Sequence, residues 1–199
     1  MFQKIKKLLG FSGYGEAEKG RLIRSNINSS LYLSIIVIMV ELWMIFRIFK
    51  IAYFGDEHRT LEWVLIHLKL YVVLLAAGIS VLVHALYVRW KNRVNRKAAL
   101  TIQCIFVAIS MAFGIYIAYM DLENGEQMLC FITMLVFSVC VYVWRPFVTI
   151  IISSASIIIL YFLCKSYGGF TLATRINLFT TWLAVNLAGI RAYHGIISK

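Results

Sequence analysis

The strongest constraint on this chain is its repeated apolar runs, such as 147–164, which are each about 20 residues long. A helix of that length spans the ~30 Å of hydrocarbon in a bilayer. Lipid offers no hydrogen-bond partners to the backbone, so only helices and closed barrels cross it. Barrel strands alternate in polarity over about ten residues, whereas these runs are longer and uniformly apolar. The sequence therefore predicts an all-α membrane protein.

Composition supports this prediction, and the hydropathy pattern gives the number of spans. Of the 199 residues, 61% are hydrophobic and only 15% are charged, against roughly 25% charged in soluble domains. The pattern predicts a six-helix transmembrane bundle over 31–199, preceded by a basic segment over 1–30. The predicted spans are 31–54, 62–88, 99–120, 127–144, 147–164 and 174–197.

Lysine and arginine are concentrated in alternate connections between the spans, and this asymmetry gives the orientation. Most of the 20 basic residues lie before the first span, between the second and third, between the fourth and fifth, or after the sixth. Two of the opposite connections, GDEHRTLE and DLENGEQ, are rich in acids. The positive-inside rule therefore predicts a multi-pass protein of the cell membrane with both termini in the cytoplasm.

The net charge of +11 follows from these basic connections. Short basic segments beside a membrane attract anionic headgroups, which we expect at the inner face. Because the charges are divided among short connections, we do not expect a nucleic-acid partner. At the N-terminus, Phe2, Ile5, Leu8 and Leu9 share one helical face, which predicts either a short interfacial helix or a disordered basic tail.

Glu41 is the residue in these spans that most needs an explanation. It lies about 15 Å from Leu31 along the helix, where an exposed carboxylate costs at least ~2.5–3.5 kcal/mol. We therefore expect its side chain to face the interior of the bundle. Arg47 and Lys50 follow nearer the outer end, where long side chains can reach water.

Further polar and aromatic residues are found near the outer ends of the spans. With Glu41 they predict an outward-facing pocket with a cationic mouth and an aromatic wall, suited to a small anionic or amphipathic ligand. His67 and Lys69 are two residues apart, so we expect only one of them to face inward. The alternative is the interfacial belt of aromatic and basic residues that helical bundles commonly have. The predicted pocket residues are Glu41, Arg47, His67, Lys69, Tyr116, Tyr119, Tyr161, Arg175 and Asn177.

The last span carries the residues predicted to relay a signal, Asn186 and Arg191. Asn177 and Asn186 are nine residues apart and are assigned to the same half of this helix, where asparagines can bridge helices. Small residues in 153–156 allow close helix packing. Pro146 is expected to begin the fifth span.

No motif predicts chemistry in this chain. HExxH, P-loop and GxSxG patterns are absent from the sequence, and the four histidines lie at different predicted depths. The four cysteines are scattered through apolar runs, which is typical of buried thiols, with a Cys130–Cys164 disulfide as the alternative. We therefore expect no catalytic residue, no metal and no cofactor.

The last span reads RINLFTTWLAVNLAGIRAYHGIISK, an apolar helix with asparagines that runs into a basic end. With its six predicted spans, acidic outer connections and WRP turn, the whole chain resembles the N-terminal membrane region of bacterial GGDEF-domain diguanylate cyclases, especially those of Clostridia-like Gram-positive bacteria. This resemblance is one of architecture.

The resemblance implies a homodimer in which the last span continues into a cyclase domain that joins two GTP molecules into cyclic di-GMP. The GGDEF motif has no counterpart in this sequence, so no catalytic residue is carried over.

Three functional hypotheses follow. The first is a sensor or anchor module that detects a ligand or membrane cue in its outer half and signals through the last span to a cytoplasmic output domain. The second is a small stand-alone transporter or channel that uses Glu41 as its intramembrane coupling group. Its isolated glycines and single proline argue against the broken helices of many transporters. The third is a scaffold subunit without a ligand.

Overall fold

The computed structural model describes residues 9–10, 15–54, 60–123, 128–165 and 171–198, and this part of the chain contains helices and no strand. The prediction of an all-α protein is therefore confirmed. The predicted interfacial helix, with Phe2, Ile5 and Leu8, lies outside the described residues, as do the acidic positions 56, 57 and 126. The helices are α1 (Glu16–Phe54), α2 (Leu61–Lys91), α3 (Arg96–Glu123), α4 (Leu129–Val136), α5 (Pro146–Cys164) and α6 (Leu172–Ile197).

Four of the described helices, α1, α2, α3 and α5, are long and apolar enough to cross a membrane. They indicate a membrane protein, in agreement with the sequence. In the described part of the predicted fourth span, 127–144, the helix covers Leu129–Val141, which is too short to count among the four. At ~1.5 Å per residue, this segment extends only about 20 Å. The sixth predicted span forms α6, which is not among the four because arginines and asparagines interrupt its apolar stretch.

The α4 segment is short because the backbone leaves the helical conformation after Val141. A π-helical turn, Phe137–Val141, follows α4, and the backbone is then extended at Tyr142 (ψ 123°) and Arg145 (ψ 138°). The ring of Pro146 disfavours a helical conformation at the residue before it. Pro146 itself begins α5, as predicted, and its missing N–H costs nothing in the first turn.

The chain divides into two compact units. One comprises Met1–Asn26 and Ser110–Lys199, and the other comprises Ile27–Ile109. In the first unit, α3 packs closely on α4 at Gly114, where an added Cβ would lie 2.9 Å from the Cβ of Met134. A cluster of Leu22, Val143 and Tyr193 forms part of its core.

The extended segment between the π-helical turn and α5, residues 142–145, is bound by the side chain of Asn26. Asn26 donates from Nδ2 to the carbonyl oxygen of Val143 (3.2 Å), and its Oδ1 accepts from the Val143 N–H (2.8 Å). Both backbone groups of Val143 lack a helical partner because the chain is extended there. The buried amide of Asn26 therefore replaces the hydrogen bonds that the helix would have supplied.

In the second unit, the buried face of α2 repeats every seven residues. The buried positions are His67, Tyr71, Leu74, Gly78, Val81, Ala85 and Val88. Alternate spacings of four and three residues place them in one stripe, as in coiled-coil packing. Near its middle, Gly78 approaches α1, because an added Cβ would lie 3.2 Å from Cγ1 of Val37. Thr60 caps the start of α2 by accepting from the Trp63 N–H, and left-handed Asn92 (φ 50°) ends it.

Candidate ligand groove

A groove with a volume of about 380 Å³ lies between α5 and α6 in the first unit. It is located at the end of these helices that is nearer to their connection. Its size falls in the lower part of the ~300–1,000 Å³ range of small-molecule sites. We call it the α5–α6 groove, and its lining residues are Ser154, Ile157, Tyr161, Arg175, Leu178, Phe179 and Trp182.

The described lining is mostly apolar and aromatic, with one hydroxyl, that of Ser154, and one charged side chain. Phe179 and Trp182 stack with their ring centroids 6.1 Å apart, and Tyr161 lines the groove from α5. Of the described lining residues, only Arg175 is charged. Within the described residues its guanidinium makes no ion pair, and it lies in the first turns of α6, where the helix dipole is also positive. The groove thus combines an apolar surface with a positive electrostatic field at one end.

A layer of hydrogen bonds lies next to the groove and joins α5 to α6. Trp182 donates from Nε1 to Oγ of Ser154 (3.0 Å). One turn further along α6, Nδ2 of Asn186 donates to Oγ of Ser153 (3.0 Å) and to the Trp182 carbonyl oxygen (2.7 Å). These bonds fix the register of α6 on α5, since each pair fits only one alignment of the two helices.

Beyond the polar layer the two helices come into close contact. A Cβ added to Gly189 would lie 3.0 Å from Cγ2 of Thr149. The same pair of helices is therefore open at one end, hydrogen-bonded in the middle and tightly packed at the other end. Because the polar layer contains Trp182, a residue of the groove is directly bonded to the contact that aligns the helices.

The groove contains only two of the nine residues predicted to form a pocket. Tyr161 and Arg175 line it together. Tyr116 and Tyr119 belong to the same unit, with ring centroids 6.3 Å apart, but they are not part of its lining. Asn177 is exposed and is also absent from the lining.

The other four predicted residues belong to the second unit, where burial separates them into two pairs. Glu41 is 2% exposed and His67 is 7% exposed, whereas Arg47 and Lys69 are exposed. His67 stacks on Trp63 at 3.8 Å between centroids, and its Nδ1 lies 2.8 Å from the Trp63 carbonyl oxygen. His67 therefore has a local packing role on α2. Arg47 and Lys69 therefore do not lie on the buried helix faces that hold Glu41 and His67.

Glu41 occupies the buried stripe of α1, as its cost in lipid requires. Ser34, Val37 and Ile48 are buried on the same helix. The Oε2 atom of Glu41 has no hydrogen-bond partner among the described residues. An oxygen that is buried without a partner costs free energy, so this carboxyl group is either a functional feature or a local weakness.

One prediction about α6 is wrong. Asn177 and Asn186 were expected on the same half of the helix, but Asn177 is exposed and Asn186 is buried in the polar layer. Nine residues at 100° each amount to two and a half turns, which places the two side chains on opposite faces. Arg191, the second predicted relay residue, is exposed on α6.

Sequence reasoning missed most of the groove. Ser154, Ile157 and Tyr161 follow the i, i+3, i+7 spacing of one helical face, and Arg175, Leu178 and Trp182 follow the same spacing. This signal was present, but the apolar members resemble ordinary lipid-facing residues. What distinguishes them is the gap between α5 and α6, and no local pattern reports such a gap.

A second cavity of about 460 Å³ lies in the second unit between α2 and α3. Its lining is apolar except for Ser80, whose hydroxyl donates to the Ala76 carbonyl oxygen of its own helix (2.8 Å). None of its described lining residues is charged. The cavity has no feature that would select a polar ligand, so the α5–α6 groove is the better candidate.

The four cysteines are free thiols, so Cys130 and Cys164 do not form a disulfide. Among the residues that the structure describes, no group of three or more potential metal ligands is found. No protein-family model, curated protein or solved structure was found to match this chain.

Proposed function

We propose that this chain is a membrane-embedded receptor module in which a ligand in the α5–α6 groove changes the position of α6. The observation that carries the proposal is the bond from Trp182 to Ser154, which connects the groove lining to the layer that aligns the two helices. A ligand that fits one arrangement of α5 and α6 better than another shifts the population between them.

The geometry of α6 supports its role as the moving element. It is a continuous helix over Leu172–Ile197, with the groove near its start. Its end lies about 30 Å further along the axis, at ~1.5 Å per residue. A displacement at Arg175 or Trp182 is therefore carried mechanically to the opposite end of the helix.

The proposal also includes the topology that the charge pattern predicts. In it, α4 with its π-helical turn and α6 complete six crossings, both termini are cytoplasmic, and the groove faces the outer leaflet. The basic connections then contact anionic headgroups at the inner face. By the resemblance to the membrane regions of diguanylate cyclases, the chain acts as a homodimer and α6 controls a cytoplasmic output domain that makes cyclic di-GMP.

A substitution that occupies the groove tests the relay without a ligand. Ile157→Trp places an indole in the groove, and Ile158→Trp places the same ring on the neighbouring exposed position as a matched control. Spin labels are attached at Ile151→Cys on α5 and Gly195→Cys on α6, with the four native cysteines replaced by alanine. Both sites are open, since Ile151 is exposed and a Cβ at Gly195 meets nothing within 4 Å.

Distances between the two labels are then measured by pulsed electron paramagnetic resonance in lipid nanodiscs. We expect Ile157→Trp to shift the distance distribution and Ile158→Trp to leave it unchanged. The same distribution in all three proteins would contradict the relay, because the groove would then be filled without moving α6.

A second function is supported by Glu41, whose buried Oε2 lacks a described partner. In a transporter or channel, this carboxyl group would carry or select a cation. Proteoliposomes with a potassium diffusion potential and an internal pH dye test for proton flux. Flux that is abolished by Glu41→Gln but retained in Arg47→Gln would favour transport, and the absence of flux in the unsubstituted protein supports the receptor.

A further inference from the structure

The lining of the α5–α6 groove carries information about the class of its ligand. One end is positive, through Arg175 and the first turn of α6, and the remaining described lining is aliphatic or aromatic apart from Ser154, whose hydroxyl accepts from Trp182. Among the residues that the structure describes, the lining contains no acid that would neutralise the guanidinium. A small polar metabolite would place its polar groups against the apolar lining, where they find no hydrogen-bond partners. A neutral hydrocarbon would leave the charge of Arg175 without a counter-ion.

We infer that the α5–α6 groove binds a single-chain anionic amphiphile, with its carboxylate at Arg175 and its alkyl chain along Leu178, Phe179 and Ile157. This inference rests on the proposed receptor function and names the chemical class of its ligand. Arginine suits this role because its planar guanidinium can form two parallel hydrogen bonds to a carboxylate.

The size of the groove selects one chain over two. Its volume of about 380 Å³ lies near the lower limit for small-molecule sites, which is too small for the paired chains and headgroup of a phospholipid. The aromatic rings of Phe179 and Trp182 give a rigid wall against which a flexible chain can lie. We therefore expect membrane phospholipids to surround the groove and a single-chain anion to bind inside it.

Trp182 in the groove lining offers a direct optical signal of occupancy. The indole of Trp182 lines the groove and bonds to Ser154, so a bromine atom on the bound chain would lie close enough to quench its fluorescence. Replacing Trp43, Trp63, Trp90 and Trp144 with phenylalanine leaves Trp182 as the only tryptophan. This variant of the full chain is placed in nanodiscs of neutral phosphatidylcholine.

The probe is a brominated long-chain fatty acid, compared with the corresponding brominated alcohol, with brominated phosphatidylcholine and with brominated phosphatidylglycerol as the anionic phospholipid. We expect saturable quenching by the acid at low mole fraction, and weaker quenching by the alcohol. Arg175→Gln should weaken binding of the acid about tenfold or more, since it removes a charge-assisted contact. Lys165→Gln, which removes an exposed cation outside the lining, should change it less than twofold.

Three results would overturn the inference. The first is equal quenching by acid and alcohol with no effect of Arg175→Gln, which would identify the groove as ordinary lipid-facing surface. The second is quenching by phosphatidylcholine at its bulk mole fraction that equals that of the acid. The third is saturable binding of anionic phospholipid in preference to the single-chain acid.

The outcomes separate this inference from the proposed function. If the acid does not bind but Ile157→Trp still moves the label at Gly195, the receptor stands and requires another ligand. If the acid binds at Arg175 but the Ile157→Trp distances do not change, the groove is an amphiphile site without a relay.

Discussion

At the scale of single residues, two buried polar side chains of α1 differ in how well they are satisfied. Asn26 uses both ends of its amide to bind the backbone of Val143. Glu41, four turns further along the same helix, leaves its Oε2 atom without a partner in the described part of the chain. Loss of the first side chain should therefore be costly, whereas loss of the second should not.

Replacing Asn26 with alanine should destabilise the protein by about 1–3 kcal/mol, because the N–H and carbonyl groups of Val143 lose their partners in a buried position. The free energy of unfolding is measured by titration with sodium dodecyl sulfate in mixed micelles, followed by tryptophan fluorescence. Asn177→Ala is the matched control and should change stability by about 0.5 kcal/mol or less, since Asn177 is exposed. Equal losses in both variants would contradict the bridging role of Asn26.

Replacing Glu41 with methionine should raise the free energy of unfolding by about 1–3 kcal/mol, because a buried oxygen without a partner is removed while the volume is retained. The same detergent titration measures the change. Glu62→Met, at an exposed position of α2, should have an effect of about 0.5 kcal/mol or less. A clear loss of stability in Glu41→Met would show that the carboxyl group has a stabilising partner.

At the scale of elements, the described helices approach one another at glycines. Gly114 lies against Met134 and Phe131 of α4, Gly78 lies against Val37 of α1, and Gly189 lies against Thr149 of α5. Helix association in lipid is driven mainly by packing, so small residues that bring backbones together have a large effect. Gly78 and Gly114 are single glycines within apolar runs of the sequence, and the structure shows that each one is a packing contact.

Gly114→Ala should destabilise the packing of α3 on α4 by about 1–3 kcal/mol, because the new methyl group would lie 2.9 Å from the Cβ of Met134 and 3.4 Å from the Cα of Phe131. Gly195→Ala is the matched control, since its methyl group meets nothing within 4 Å. That variant should be neutral or stabilised by up to about 1 kcal/mol through helix propensity. Thermal unfolding in detergent micelles measures both, and a stable Gly114→Ala protein would contradict the close contact.

At the scale of the whole molecule, the distribution of charge predicts how the chain lies in the membrane. Arg93 belongs to the basic connection between α2 and α3, and Leu61 lies at the opposite end of α2. The positive-inside rule assigns the first to the cytoplasmic side and the second to the outer side.

Single cysteines at these two positions test the orientation. In a background without native cysteines, Leu61→Cys should react with a membrane-impermeant maleimide added to intact cells, and Arg93→Cys should react only after the cells are permeabilised. Both positions are exposed, so a difference in labelling reports the side of the membrane. Labelling of Arg93→Cys in intact cells would reverse the proposed topology, and the groove would then face the inner leaflet.

The sequence by itself determined the all-helical class, the membrane character and the start of α5 at Pro146. These properties follow from hydropathy over a single helix and from the geometry of proline, which are local. The interior position of Glu41 was also predictable, since its cost in lipid depends on the residue and its depth alone.

The tertiary structure alone decided how the α4 segment ends and which side chains form the groove. The extended segment after Tyr142 is bound at Val143 by Asn26, which is more than a hundred residues away in sequence. The groove depends on the separation of α5 from α6 near Arg175 and on their contact at Gly189. Hydropathy describes how each helix interacts with its solvent, whereas a groove arises from the distance between two helices, which packing over their whole length determines.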